Sequence, residues 1–354
     1  MLFIQHKNIL LENIKPMKKI LITLCAAIPF LASSCNGGSN TNNTPTIPKY
    51  AYIIASDNNG YLQCNVNSNG IESSTCTLVT PQNADLNWPV AITISNNIAY
   101  ILNNDGNSYT QCNINSSGIE SDSCFGVSPN DPGALLHPSS ITVSNGYAYM
   151  TDYADPYGIG YGAYTQCKVN TNGIESDTCL TVGKNGESGL VNPMGVITYQ
   201  NLAFFTNSFE NNGVTQCNVS SLGINTDSCF DAQPNGTSVY DASGLAIYNN
   251  YLFISNLTHK NNDDPDSTDY GSYTRCNLNS SGIDNNSCIT TSLPLTNDPH
   301  NIAFAGNYAY FVNFSSGGAG YTQCLVENNN INTDSCKRIV LNNIPTTTDI
   351  AFQY

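Results

Sequence analysis

Short runs of alternating apolar and polar residues recur along this chain, separated by turn residues. Pro89-Val-Ala-Ile-Thr-Ile-Ser95 alternates around Ile92 and Ile94, the period of a half-buried strand. Asn96-Asn97 is a tight-hairpin signal, since Asn tolerates the positive φ that such turns need. Ile98-Ala-Tyr-Ile-Leu102 reads as a second strand, Asn103 to Ser108 as a polar loop, and Tyr109-Thr-Gln-Cys-Asn-Ile114 as a third strand. Ser116-Ser117-Gly118 turns the chain towards a fourth strand, Cys124-Phe-Gly-Val127. That last connection is longer than a simple hairpin needs to bring Cys112 opposite Cys124, so a bulge or irregular stretch is expected in Glu120 to Ser123.

The unit is written six times. Each copy has a Cys, eleven residues and a second Cys. The copies are Cys64 with Cys76, Cys112 with Cys124, Cys167 with Cys179, Cys217 with Cys229, Cys276 with Cys288 and Cys324 with Cys336. A period near 50 residues calls for a repeat architecture, and four short antiparallel strands per unit predict an all-β, six-bladed β-propeller over residues 50–354. First strands are expected at Pro89, Pro138, Pro193, near Ala242, at Pro299 and at Thr348-Asp-Ile-Ala-Phe352, whereas the N-terminal unit starts at its second strand, Tyr50-Ala-Tyr-Ile-Ile54. The last strand would therefore complete the first blade and close the ring, leaving no open sheet edge.

Residues 1–34 carry a basic start at Met17-Lys18-Lys19 and a twelve-residue apolar stretch, Ile20 to Leu31. That is the build of a secretory signal peptide, with Met17 a candidate start. Residues 35–49 are Asn, Gly, Ser, Thr and Pro with almost no apolar residue, a flexible tether. Without the leader the chain keeps 7 basic and 25 acidic residues. Such a surface repels phosphate backbones, which argues against nucleic acid as a partner. Twelve paired cysteines in an exported chain read as disulfides, one per blade. Zinc would need four ligands at a point, and each Cys pair supplies two.

Three resemblances bear on this reading. Leu31-Ala32-Ser33-Ser34-Cys35 resembles the lipobox of bacterial lipoproteins. It implies lipidation of Cys35 and an extracytoplasmic, membrane-anchored protein, in the outer membrane by the residue that follows, Asn36; plain secretion into periplasm or medium is the alternative. Pro138-Ser-Ser-Ile141 with Tyr147-Ala-Tyr-Met-Thr-Asp152 resembles the NHL-type unit of six-bladed propellers, although a disulfide in every blade departs from that family's norm. Asp152, Asn207, Asn256 and Asn313, with Asn103, stand just after second strands, where gluconolactonase-like and paraoxonase-like propellers hold calcium. Capping of local turns is the structural alternative.

The loop face that joins second to third strands and blade to blade varies in length, with Cys-to-Cys periods of 48, 55, 50, 59 and 48 residues. Variable loops on a rigid ring are where binding lives. Tyr153, Tyr157 and Tyr161 lie in one insertion. Asp264, Asp266 and Asp269 lie in another, which lacks the Gly and Glu of an EF-hand. Residues beside the first-strand prolines should ring the channel mouth on this face: Trp88, His137, Asn192, Asp241, Asp298 and His300, with Asp349 further in. No nucleophile elbow, phosphate loop or HExxH motif is present. The expected function is a platform that binds a protein or glycan, with no cofactor. The alternative is a calcium-dependent hydrolase or lyase in the channel, using His137 or His300 as acid or base.

Overall fold

The computed structural model describes residues 46–131, 134–153, 162–183, 190–208, 213–232, 239, 241–257, 271–296, 298–314 and 319–354. The expected signal peptide, Cys35, most of the expected tether, Tyr157, Tyr161 and the loop bearing Asp264, Asp266 and Asp269 lie outside the described residues. No helix among the described residues is long and apolar enough to cross a membrane.

Six antiparallel sheets stand in a ring, a six-bladed β-propeller. In the second blade the inner strand is Pro89–Ser95, followed by Ile98–Asn103, Ser108–Asn115 and a broken outer strand, Gly118–Ile119 and Phe125–Val127. The hairpin at Asn96 and Asn97 has φ of 51° and 61°, the left-handed pair that a tight turn between twisted strands needs. Inner strands contact one another in order around the ring. The first blade is built from both chain ends: Thr347–Gln353 pairs antiparallel with Tyr50–Ala55, placing Ile53 opposite Ile350.

All six expected disulfides form, and none crosses between blades. Cys64 bonds Cys76, Cys112 bonds Cys124 and Cys167 bonds Cys179. In the last three blades Cys217 bonds Cys229, Cys276 bonds Cys288 and Cys324 bonds Cys336. In each pair the Cα atoms lie 4.1 Å apart. The bonds fit an oxidising, extracytoplasmic setting. The irregular stretch is a single 3-10 turn, Ser121–Ser123 in the second blade. It takes an N–H out of the ladder, and a hydroxyl replaces the lost partner. Asn113 N donates to Ser123 Oγ at 2.8 Å, and Ser or Thr does the same before the second Cys of every blade.

The repeated Tyr-Thr-Gln-Cys run divides its work among four directions. The cysteine ties the third strand to the fourth. The tyrosines Tyr61, Tyr109, Tyr164, Tyr273 and Tyr321 are buried, and their rings pack against the neighbouring apolar side chains of the core. Thr110, Thr215, Thr274 and Thr322 accept from the side-chain amide that ends the second strand of their own blade, and Thr165 donates to Asp152 at 2.8 Å. The first blade has Ala55 in place of that amide and Leu62 in place of the threonine, so an apolar pair replaces a polar one.

The glutamine reaches into the next blade. Gln111 Nε2 donates to Asn172 O at 2.6 Å and Gln111 Oε1 accepts from Ile174 N at 3.2 Å. Gln63, Gln166, Gln216 and Gln323 bond the next turn in the same way, and Gln323 closes the circle onto Asn69. Each amide lies against the Cα of a glycine in that turn, Gly70, Gly118, Gly173, Gly223 or Gly282, whose φ is between 99° and 119°. A side chain there would collide with the amide, and this backbone region is nearly closed to other residues. The sixth blade carries Asn330 at this position, and the residue facing it is Arg275, which donates to Asn329 O at 3.1 Å.

Candidate functional site

The ladder slips at the start of all six inner strands, and five of these bulges, after Pro89, Pro138, Pro193, Ala242 and Pro299, share one geometry. The residue before each of the five is left-handed: Trp88, His137, Asn192, Asp241 and Asp298 have φ between 44° and 51°. Each presents its carbonyl to the N–H of the residue just past the second strand, at 3.0 to 3.2 Å. This fixed geometry aims two sets of side chains at the channel mouth. One comes from three of the left-handed residues, Trp88, His137 and Asn192, the other from the residues past the second strands.

Together they enclose a cavity of about 730 Å³ on the loop-bearing face. Its walls are Trp88, His137, Asn192, Asn104, Tyr153 and Ser208, with Leu257 and Phe314 beside them. Val90, Ser139, Met194, His300 and Thr348, each one residue past the start of its inner strand, form the floor. Below them the channel narrows to a void of about 10 Å³. Gly195 and Gly244 allow the inner strands to close in there, since a Cβ at either would overlap Ser243 O or Asn301. A separate cavity of about 260 Å³ opens on the far side.

His300 is held on two sides. Its Nδ1 bonds the Thr348 carbonyl at 3.1 Å, which makes Nδ1 the donor and Nε2 the acceptor. Its ring stacks on Phe314 at 5.4 Å. Burial lowers its pKa below the ordinary histidine value, because the interior disfavours the charged form. His137, three blades away across the mouth, bonds Asn104 Oδ1 through Nδ1 at 3.2 Å. Asn104 Nδ2 donates to Pro138 O, so its oxygen faces the imidazole.

Asp241 and Asp298 share the left-handed backbone of this ring but do not line the cavity. Asp349 lines the narrow channel instead. It accepts from Ile92 N at 2.7 Å, from Ile350 N and from Asn301 Nδ2, tying three blades together. Burial nevertheless pushes its carboxyl up to about 7.

Asn103, Asp152, Asn207, Asn256 and Asn313 are buried inside their blades. Each turns its side chain to the third strand rather than to the channel. Burial raises the Asp152 carboxyl to about 8. The residues that reach the mouth are the next ones along, Asn104, Tyr153, Ser208, Leu257 and Phe314. Consecutive residues of extended chain face opposite ways, so an offset of one changes the face. Among the described residues no three His, Cys, Asp or Glu side chains gather as a metal site.

No family model and no curated protein matches the chain. Solved structures do. A nidogen/laminin complex aligns with a TM-score of 0.59 at 11% identity, over 85% of this chain and 97% of that one. A protein of unknown function from Desulfotomaculum acetoxidans gives 0.53 at 11%, over 86% and 99%. The periplasmic gluconolactonase of Pseudomonas aeruginosa gives 0.50 at 12%, over 83% and 80%. At such identities the likeness concerns the fold alone.

Proposed function

We propose that this chain is an extracytoplasmic binding platform, anchored through lipidated Cys35 and built from NHL-type blades, that holds a protein segment or glycan in the mouth on its loop face. The observation that carries this reading is Trp88. The four residues that share its backbone position are His137, Asn192, Asp241 and Asp298, types that tolerate a left-handed conformation. A bulky aromatic residue at φ 51° is an outlier that costs about 1–2 kcal/mol. The chain accepts this cost and sets the indole at the rim of the cavity on its loop face. Backbone strain at a ligand-accessible aromatic points towards recognition.

The catalytic alternative has less support. The amides of the Asn and Asp ring that would hold calcium donate within their blades; Asn103, Asp152, Asn256 and Asn313 each keep a buried Oδ1 without a partner, but the ring stands outside the lining of the mouth. The fold neighbours include a gluconolactonase and a nidogen/laminin complex, so the architecture serves both enzymes and binding modules and decides neither. The test is capture of extracytoplasmic proteins and immobilised glycans by wild type and by Leu257→Arg, which fills the mouth with a bulky charge. Capture by wild type that the variant loses supports the platform. Equal capture by both places recognition elsewhere.

A further inference from the structure

We infer that the mouth is built for a neutral, hydroxyl-rich ligand, a short saccharide with one ring face on Trp88 and hydroxyls donated to His137 and His300. The inference rests on the platform reading of the same cavity and names its ligand class.

The cavity, about 730 Å³, falls within the range of roughly 300–1,000 Å³ usual for small-ligand sites. Its described lining joins two chemistries. Trp88, Val90, Tyr153, Met194, Leu257 and Phe314 present apolar and aromatic faces. Between them stand groups with hydrogen-bonding capacity still open. His300 and His137 each bind an oxygen acceptor through Nδ1, which leaves Nε2 as an acceptor on opposite sides of the mouth. Asn192 and Ser208 line the same cavity, and their side chains bond no other described residue. A pyranose has C–H bonds on its faces and hydroxyls around its rim, so it matches both sets at once.

Other classes match one set only. A purely apolar ligand would bury two imidazoles, an amide and a hydroxyl without partners, at about 1–3 kcal/mol each. An anion would meet two imidazole acceptors and no countercharge, on a chain of net charge −15, with no Lys or Arg among the described lining residues. A cation would suit the overall field, but Asp241 and Asp298 stand outside the lining and no other carboxylate replaces them there. A neutral polyol needs no countercharge.

Trp88 is the only tryptophan in the chain, so its emission reports on the mouth. The protein is titrated with maltose, cellobiose and N,N′-diacetylchitobiose, with glucuronate and choline as charged probes. The expected result is a saturable change in emission with at least one neutral disaccharide. Affinity by calorimetry should fall at least tenfold in Trp88→Ala and in His300→Ala and be partly restored in His300→Gln, whose amide oxygen keeps an acceptor. Thermal melts establish that each variant is folded. Silence towards all three disaccharides overturns the saccharide. If protein capture that Leu257→Arg abolishes persists alongside that silence, the platform reading stands without it. If no mouth-dependent capture is found, both fail. Choline or glucuronate binding where the neutral sugars do not bind also overturns the inference, as does sugar binding undiminished in both Ala variants.

Discussion

The interblade clamp makes a prediction that a double-mutant cycle can test. Gln111 is buried, joins Asn172 O and Ile174 N, and lies on the Cα of Gly173 at φ +119°. Gln111→Ala strips two backbone groups of their partners, at about 1–3 kcal/mol for a group that stays buried. Gly173→Ala forces a side chain into a backbone region that costs on the order of 1–3 kcal/mol and drives its Cβ into the Gln111 amide. In the double variant the collision is gone, and only the backbone cost and the lost hydrogen bonds remain. The double variant should therefore be less destabilised than the sum of the singles, by about 1 kcal/mol or more. Equilibrium urea unfolding with disulfides oxidised measures all three. Additivity within about 0.5 kcal/mol is the behaviour of independent sites and would refute the clamp. The chain already contains one natural exchange, Arg275 facing Asn330, where both partners differ from the rest.

Trp88→Asn should raise stability by about 1 kcal/mol, because Asn tolerates the left-handed backbone, while abolishing ligand binding; a loss of stability in thermal melts would contradict the strain argument. Removing one disulfide as Cys112→Ser with Cys124→Ser should cost about 3 kcal/mol in urea unfolding by the loop-entropy relation, and an unchanged midpoint would show the loop already constrained when unfolded. Asp349 is raised to about 7 by burial, so between the ordinary carboxylate value and 7 the folded chain holds a proton that the unfolded chain has released. Stability from this group therefore grows as pH falls from about 7 towards 4, and Asp152, raised to about 8, has the same sign. His300, lowered by burial, has the opposite sign, since below its ordinary value the unfolded chain takes a proton that the folded chain refuses. The stability difference between wild type and Asp349→Asn should thus move in favour of wild type from pH 8 to pH 5, and a flat difference would mean that its three N–H donors keep Asp349 ionised. Melting curves with and without EDTA should coincide on the platform reading, and a chelator-sensitive midpoint would favour the calcium enzyme.

Much of this molecule could be read before its structure. Alternation around Ile92 and Ile94 placed an inner strand at Pro89–Ser95, and the half-unit at each chain end implied the closure of Tyr50–Ala55 by Thr347–Gln353. Equal spacing within the six Cys pairs told of local bridges, from Cys64 with Cys76 to Cys324 with Cys336. Trp88, His137, Asn192 and His300 stand beside repeated prolines and Tyr153 opens a variable loop, and the structure brings all five to one cavity. Two things were hidden. One is the bulge past each inner-strand start, which shifts phase by one residue with no mark in the hydrophobic pattern. Alternation along the second strand then separates Asn103, turned into its blade, from Asn104 at the mouth, and Asp241 and Asp298, which share the bulge geometry, still stand outside the lining. The other is the purpose of Tyr-Thr-Gln-Cys. The run is plain in the sequence, yet its glutamine acts on the next blade, as Gln111 acts on Ile174 across 63 positions. Only the paired exceptions, Ala55 with Leu62 and Asn330 with Arg275, carried a trace of it.

Ring closure also sets an order of events for a chain made from its N-terminus. Each disulfide joins residues only 12 apart, so oxidation can follow synthesis blade by blade. The first blade, in contrast, waits for Thr347–Gln353. Until those residues arrive, every precursor is an open arc that exposes the unpaired edge of Tyr50–Ala55, where a strand from another chain could dock. The last strand thus acts as a latch. A chain truncated just before it can still form all six disulfides after export and leave its sticky edge uncovered.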